Sequence, residues 1–293
     1  MKELTVLSGK GGTGKTSVTA ALASLASNIV ICDNDVDAAN LHLLAQPKVL
    51  EEHVFLGGWL ATINEDVCVG CGLCSDNCNF DAIHLSDGGK YYVNPYQCEG
   101  CRLCERLCPV GAITSNQSDN NQWFVSDSRF GKMVHAHMGP GEENSGKLVT
   151  KIRKRASEEG KNINASWVIN DGPPGVGCAT IASLTGVDAV LLVVEPSKSG
   201  WHDAERLIRL ANKFEIPIWA IINKYDINPE VSSEFENFFK ELDIKVIGRL
   251  PFDETMVLSM VEGKSIVEYS PDSEISKQLL GAWDILNNEF ITK

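Results

Sequence analysis

Short runs dominated by apolar residues recur along the chain, and between them apolar positions return at helical spacing. Leu4–Leu7, Asn28–Cys32, Ala165–Asn170, Ala189–Val194, Ile218–Ile222 and Lys245–Leu250 read as strands buried on both faces, because no sustained polar alternation marks a wet side. Helices are expected at Ser17–Ala26, Ala38–Leu44 and Leu148–Glu159, and near 200–213, 229–242 and 273–290. This alternation is what a parallel sheet with crossover helices requires, so the expected class is α/β, a doubly wound and mostly parallel sheet. In the last helix Ile275, Leu279, Trp283, Leu286 and Phe290 share one face, which predicts core packing. A hairpin is expected at Trp123–Ser126 and Met133–His137, turning through Arg129–Lys132. The glycines and proline of Gly139–Lys147 then mark a loop.

The pattern breaks between Leu60 and Ser118, where eight of the ten cysteines fall. The expected division is therefore one domain built from 1–59 and 119–293, with a smaller domain, 60–118, inserted into it. The insert carries Cys68-x2-Cys71-x2-Cys74-x3-Cys78 and then Cys98-x2-Cys101-x2-Cys104-x3-Cys108-Pro109. Zinc sites use cysteine pairs, whereas a repeated run of four at this spacing suits an iron-sulfur cube. The spacing resembles the bacterial ferredoxin run, present twice. That resemblance implies a small α+β ferredoxin-like domain with two 4Fe-4S clusters, in which the fourth cysteine of each run crosses to the other cluster. Cys68, Cys71, Cys74 and Cys108 would hold the first cluster; Cys98, Cys101, Cys104 and Cys78 would hold the second. Phe80-Asp81-Ala82-Ile83 after the first run matches Val110-Gly111-Ala112-Ile113 after the second, as an internal repeat predicts. Asn79 stands where the run usually has proline, which loosens a turn but removes no ligand.

A net charge of −13 argues against binding nucleic acid or a stable membrane association. No apolar stretch approaches a membrane span, and Met1-Lys2-Glu3 runs straight into a strand, so a cytoplasmic protein is expected. Cysteines in that compartment are metal ligands before they are disulfides.

The first strand empties into Gly9-Lys10-Gly11-Gly12-Thr13-Gly14-Lys15-Thr16, a G-x-x-x-x-G-K-S/T phosphate loop followed by the helix from Ser17. Glycines let backbone N–H groups converge on phosphate oxygens, and the helix turns its positive end to the same anion. ATP would lie on Gly11, Gly12, Thr13, Gly14, Lys15, Thr16 and Ser17, with Lys15 bridging the β- and γ-phosphates and Thr16 on Mg²⁺. The strand Asn28–Cys32 ends in Asp33-Asn34-Asp35-Val36-Asp37, with Asp37 the expected helix cap. Ala165–Asn170 ends in Asp171-Gly172-Pro173-Pro174-Gly175, an apolar strand closing on a carboxylate and a hinge.

These segments resemble the MinD, Mrp and nitrogenase iron-protein superfamily of P-loop ATPases. The second lysine, Lys10, matches the position that in this superfamily crosses a dimer interface to the partner's nucleotide. The resemblance implies a dimer, with itself or a close paralogue, that closes on ATP. It assigns Asp33 to Mg²⁺, Asp35 to the attacking water, Asp171 to Mg²⁺ through water, and Lys10 and Lys15 to the transferring phosphates. Asn223 and Lys224 match the adenine-reading segment, and Pro251-Phe252-Asp253 a second loop beside the base. Three uses compete: maturation or delivery of an iron-sulfur or mixed-metal cofactor to a client metalloprotein or cluster-carrying protein; ATP-gated electron transfer to a partner; and cell positioning. Acidic charge and the lack of a basic terminal helix weigh against the third.

Smaller features stay open. Met133, His135 and His137 alternate on one strand, either as ordinary side chains or as a soft metal site. Cys178 is either buried or a ligand shared across the dimer. Lys151, Arg153, Lys154 and Arg155 form a basic helix face, solvated or facing an acidic partner.

Overall fold

The structure, a computed structural model, describes residues 1–139, 142 and 145–291. The chain runs β1 (Lys2–Ser8), α1 (Lys15–Leu25), β2 (Ile29–Asp33), α2 (Leu41–Ala45), β3 (Lys48–Phe55), β4 (Trp59–Ile63), α3 (Leu73–Asp76), β5 (Ile83–Leu85), β6 (Tyr91–Val93), α4 (Leu103–Leu107), β7 (Ile113–Gln117), β8 (Asn121–Ser128) and β9 (Gly131–His137). It continues through α5 (Ser145–Asn162), β10 (Trp167–Pro174), α6 (Cys178–Leu184), β11 (Ala189–Val194), α7 (Lys198–Asn212), β12 (Ile218–Asn223), α8 (Pro229–Glu241), β13 (Lys245–Leu250), α9 (Thr255–Val261), α10 (Ile266–Tyr269) and α11 (Glu274–Ile291).

Among the described residues, nine strands form one sheet in the order β13-β12-β11-β1-β10-β2-β9-β8-β3. β1 runs parallel to β10 on one side and to β11 on the other, so its carboxyl end opens at the middle of the sheet. Both faces are covered. Leu191 and Val193 join Leu4, Val6, Leu22 and Ile169 in one cluster, while Val190, Leu192 and Val194 join Leu7, Phe235 and Phe239 in the other. Successive side chains of β11 thus enter opposite cores, which is why the strand carries no polar alternation. Ile275, Leu279, Trp283 and Leu286 of α11 pack into the first cluster; the side chain of Phe290, expected on that face, lies outside the described residues.

Several local expectations need correction. α5 begins at Ser145, inside the segment expected as a loop, and Pro140, Gly141, Glu143 and Asn144 of that loop lie outside the described residues. Asp37 does not start α2: the helix opens at Leu41, whose N–H donates to Asp33 at 3.1 Å, while Ala38 N–H turns back to Asp35. The basic face of α5 is not uniformly solvated, because Arg153 is buried on Glu3 at 2.6 Å and Arg155 pairs with Glu51 and Glu159. Strand β3 had no signal. It is the outer strand of the sheet, its residues exposed or half-buried, so nothing selects apolar side chains there, and Lys48, Glu51 and Glu52 charge the edge.

Residue contacts divide the chain into two units, Met1–Glu52 with Trp123–His137 and Ser145–Lys293, and His53–Gln122 with Met138–Asn144. The second is wider than the cysteine-marked window of 60–118. Within it β4 pairs antiparallel with β7, aligning Ile63 with Ile113, and β5 pairs antiparallel with β6. The two cysteine runs repeat one local structure. Ala82 N–H donates to Cys78 Sγ at 3.4 Å and Ala112 N–H to Cys108 Sγ at 3.2 Å, and the next residues, Ile83 and Ile113, are both buried. No helix among the described residues is long and apolar enough to cross a membrane.

Candidate functional site

β1 ends at Ser8, and the chain turns through Gly9–Gly14 into α1. Gly14 has φ +90°, and a Cβ there would lie 2.4 Å from Asn223 Nδ2, so both backbone conformation and space demand glycine. The same Asn223 amide donates to the Thr13 carbonyl at 2.8 Å, bracing the loop from the end of β12. No side chain caps α1 at Gly14, which leaves the first helical N–H groups to an anion. Ser17 donates to Met260 Sδ at 3.2 Å, tying α1 to α9.

Beside the loop lies a buried set of charges. Lys15 Nζ stands 3.3 Å from Asp171 Oδ1 and 3.4 Å from Asp35 Oδ2. Asp171 also accepts from the Thr16 hydroxyl at 2.6 Å and the Thr19 hydroxyl at 3.1 Å. Asp33 is opposite Asp171 in the β2–β10 register and fully buried. Burial, then the Asp171 charge, pushes the Asp33 carboxyl well above its usual range; burial raises Asp35 against the pull of Lys15. For Lys15 burial works the other way, but Asp171, Asp35 and Asp33 outweigh it and keep the ammonium charged. Two carboxylates, Asp171 and Asp35, thus pair with one cation, and Asp33 lies beside them. Hard oxygen donors with negative charge in excess are the chemistry that suits Mg²⁺, which completes its shell with phosphate and water.

These observations agree with the matches to known proteins. A family model described as the CobQ/CobB/MinD/ParA nucleotide binding domain matches residues 4–266. The chain belongs to this family. It is a MinD/ParA-like ATPase. It is 36% identical over 256 residues to an uncharacterized protein of Methanocaldococcus jannaschii, covering 86% of this chain and 84% of that one. Over 100 residues, 30% of this chain and 35% of the relative, it is 29% identical to the iron-sulfur cluster carrier protein of Methanococcus maripaludis. The septum site-determining protein MinD of Pyrococcus horikoshii, solved with Mg-ADP, shares the fold with a TM-score of 0.58 at 18% identity, covering 100% of this chain and 98% of that one.

In this MinD/ParA-like ATPase the remaining candidate residues gather at the same end of the sheet. Lys224 donates to the Gly12 carbonyl at 3.3 Å. Pro251 follows β13, and Phe252 N–H donates to Asp226 at 2.7 Å, which joins the two segments expected beside the base. One residue escaped the sequence reading. Glu195, just past β11, accepts from Lys10 at 2.9 Å and from Lys224 at 2.8 Å. Glu195 stands at the carboxyl end of a strand that neighbours β1, where doubly wound sheets bind ligands, and that place is the signal that could have found it. The strand ending in Asp33, expected beside the phosphate-loop strand, is instead separated from it by β10.

The second unit holds two hollows. Cys78, Cys98, Cys101 and Cys104 line one, with Cys74 also on its wall. Cys68, Cys71, Cys74 and Cys108 line the other. All are free thiols. Backbone N–H groups of Tyr91 and Gly70 hold the Cys68 thiol below its usual range, while burial pushes Cys104 up to about 11. Among the described residues no three His, Cys, Asp or Glu side chains converge as a site for a single ion. A cube of four irons sets its ligands wider apart than one ion does, and four thiols around a hollow fit that larger group.

Other candidates are placed differently. Met133 is buried, His135 stacks on Phe124 and shares a hydrogen bond with Ser126 at 3.1 Å, and His137 is exposed, so the three do not converge. Cys178, expected buried by default, is exposed at the first turn of α6.

Proposed function

We propose that this chain is an ATP-binding and hydrolysing iron-sulfur protein of the cytoplasm, in which ATP-driven closure of a dimer controls two 4Fe-4S clusters. The observation that carries the reading is that both runs contribute to the wall of each hollow: Cys68, Cys71 and Cys74 with Cys108 in one, and Cys98, Cys101 and Cys104 with Cys78 in the other, where Cys74, shared between the two, also stands. Cys68, Cys71, Cys74 and Cys108 would hold one cluster, and Cys98, Cys101, Cys104 and Cys78 the other. Bound there, the clusters would supply one-electron chemistry.

In the nucleotide site, Lys15 and the N–H groups at the start of α1 take the β- and γ-phosphates. Thr16 and Asp33 hold Mg²⁺, Asp171 steadies it through water, and Asp35 orients the attacking water. Asn223, Lys224 and Pro251 flank the adenine, while Lys10 reaches the partner's nucleotide. The insert of 60–118 lies in the chain between Asp35 and Asp171, so loss of the γ-phosphate alters both segments that lead into and out of it.

The use assigned first is maturation or delivery of an iron-sulfur or mixed-metal cofactor to a client metalloprotein, supported by the likeness to an iron-sulfur cluster carrier. ATP-gated electron donation is the second reading. It is favoured by the packing of Cys68, Cys74, Cys78, Cys98, Cys104 and Cys108 with Ile63, Ile83 and Ile113, since emptying the hollows would dismantle that small core. A positioning ATPase would account for the nucleotide site and leave the cysteine runs unused.

An anaerobic transfer experiment tests the proposal. The reduced protein is mixed with ATP and a candidate apo-client, and the client's iron content and paramagnetic resonance are followed. Iron arriving with the signal supports delivery; a client reduced at constant iron supports electron donation. If Lys15→Ala and Lys10→Ala both leave the outcome unchanged, ATP does not control the clusters.

A further inference from the structure

We propose that Glu195 is a positioning residue that holds Lys10 within its own subunit and surrenders it when two subunits close on ATP. The inference rests on the reading of Lys10 as the lysine that serves the partner's nucleotide, and adds the group that governs it.

The carboxylate is divided between two ammonium groups. Oε1 lies 2.9 Å from Lys10 Nζ and Oε2 lies 2.8 Å from Lys224 Nζ. Lys10 has a second partner in the same subunit, the Ser197 hydroxyl at 3.2 Å, and Ser197 is itself fixed as the N-cap of α7 by Gly200 N–H at 3.1 Å. Lys224 is anchored on its other side to the Gly12 carbonyl. Burial of Glu195 opposes its charge, but the hydrogen bonds from Lys224 and Lys10 outweigh it and keep the carboxyl below its usual range. The clasp is therefore fully formed at neutral pH.

The Lys10 side chain is 33% exposed, so another anion can reach it. A terminal phosphate carries more charge and more acceptor oxygens than a carboxylate. Across a closing dimer, the partner's ATP can draw Lys10 off Glu195, whereas ADP, lacking the γ-phosphate, competes less well. Glu195 keeps its second ammonium, Lys224, and so is not stranded when Lys10 leaves. After hydrolysis the clasp re-forms and favours separation. A ligand shifts such an equilibrium only by its differential affinity for the two states, and the clasp is where that difference is set.

The test is sedimentation of the full chain over a concentration series with Mg²⁺ and either a non-hydrolysable ATP analogue or ADP. Two clasps open per dimer, so Glu195→Gln is expected to dimerise with the analogue at roughly three- to tenfold lower concentration than wild type, and to gain dimer with ADP. Glu195→Asp, which restores the charge, moves the midpoint back toward wild type. In a Lys10→Ala background the Glu195→Gln shift disappears. An unchanged midpoint in Glu195→Gln that still binds a fluorescent nucleotide overturns the proposal, as does a shift that survives Lys10→Ala. Should Glu195→Gln not fold, Ser197→Ala carries the test with a smaller shift in the same direction, and no shift overturns it. A wild type that binds the analogue yet stays monomeric removes the dimer reading itself, a result distinct from failure of the clasp alone.

Discussion

The Thr16 hydroxyl donates to Asp171 at 2.6 Å, joining residues 155 positions apart, the first turn of α1 and strand β10. The same carboxylate meets Lys15 through its other oxygen, so Asp171 couples the phosphate loop to β10, which runs on through Gly172 to Pro174 where the sequence suggested a hinge. Asp171→Asn keeps the shape and removes the charge. It should lower ATP hydrolysis on the order of 10²-fold while nucleotide binding persists, measured by phosphate release beside equilibrium binding. Hydrolysis at the wild-type rate would exclude Asp171 from the reaction.

Gly14→Ala places a methyl group against Asn223 at a left-handed position. Backbone strain alone costs about 1–2 kcal/mol, and the Asn223–Thr13 bond must also give way. ATP affinity should fall at least tenfold with a smaller loss of thermal stability. Calorimetry that finds unchanged affinity would show that this corner is not part of the nucleotide site.

Crossed ligation is open to direct assay. If the fourth thiol of each run serves the other run's hollow, Cys108→Ser should remove about half of the iron from an anaerobically reconstituted chain and abolish the cluster that Cys68→Ser also abolishes. Cys78→Ser should instead share its phenotype with Cys98→Ser. Pairing of Cys108 with Cys98 in such a comparison would disprove the crossing.

Burial, then the charge of His42, pushes the His135 imidazole down to about 4. Because the unfolded chain binds this proton near pH 6.5 and the folded one does not, stability from this site is complete above that value. It is lost as pH falls from 6.5 toward 4, by at most about 3 kcal/mol. His135→Gln should flatten the fall of melting temperature over that window; an equal slope in both proteins would assign the acid sensitivity elsewhere.

Much of the fold was legible because its rules are local. Buried parallel strands such as Ala189–Val194 declare themselves by lacking polar residues, and Gly14 and Lys15 declare a phosphate loop by spacing. The exposed strand Lys48–Phe55 was not legible, since an outer strand that buries no side chain imposes no pattern. Arg153 belonged by sequence to a basic surface; only packing against Glu3 and the Ala182 and Thr185 carbonyls made it a buried brace.

The sequence by itself determined the parallel α/β core, the anion-binding turn and the two cysteine runs, because each depends on residue types at short, fixed separations. Tertiary structure alone decided that Asp35 and Asp171 share Lys15, that Asn223 closes on Gly14, and that Glu195 divides itself between Lys10 and Lys224. Those relations join residues from separate strands, and nothing in the spacing of one segment records which other segment the sheet will bring beside it.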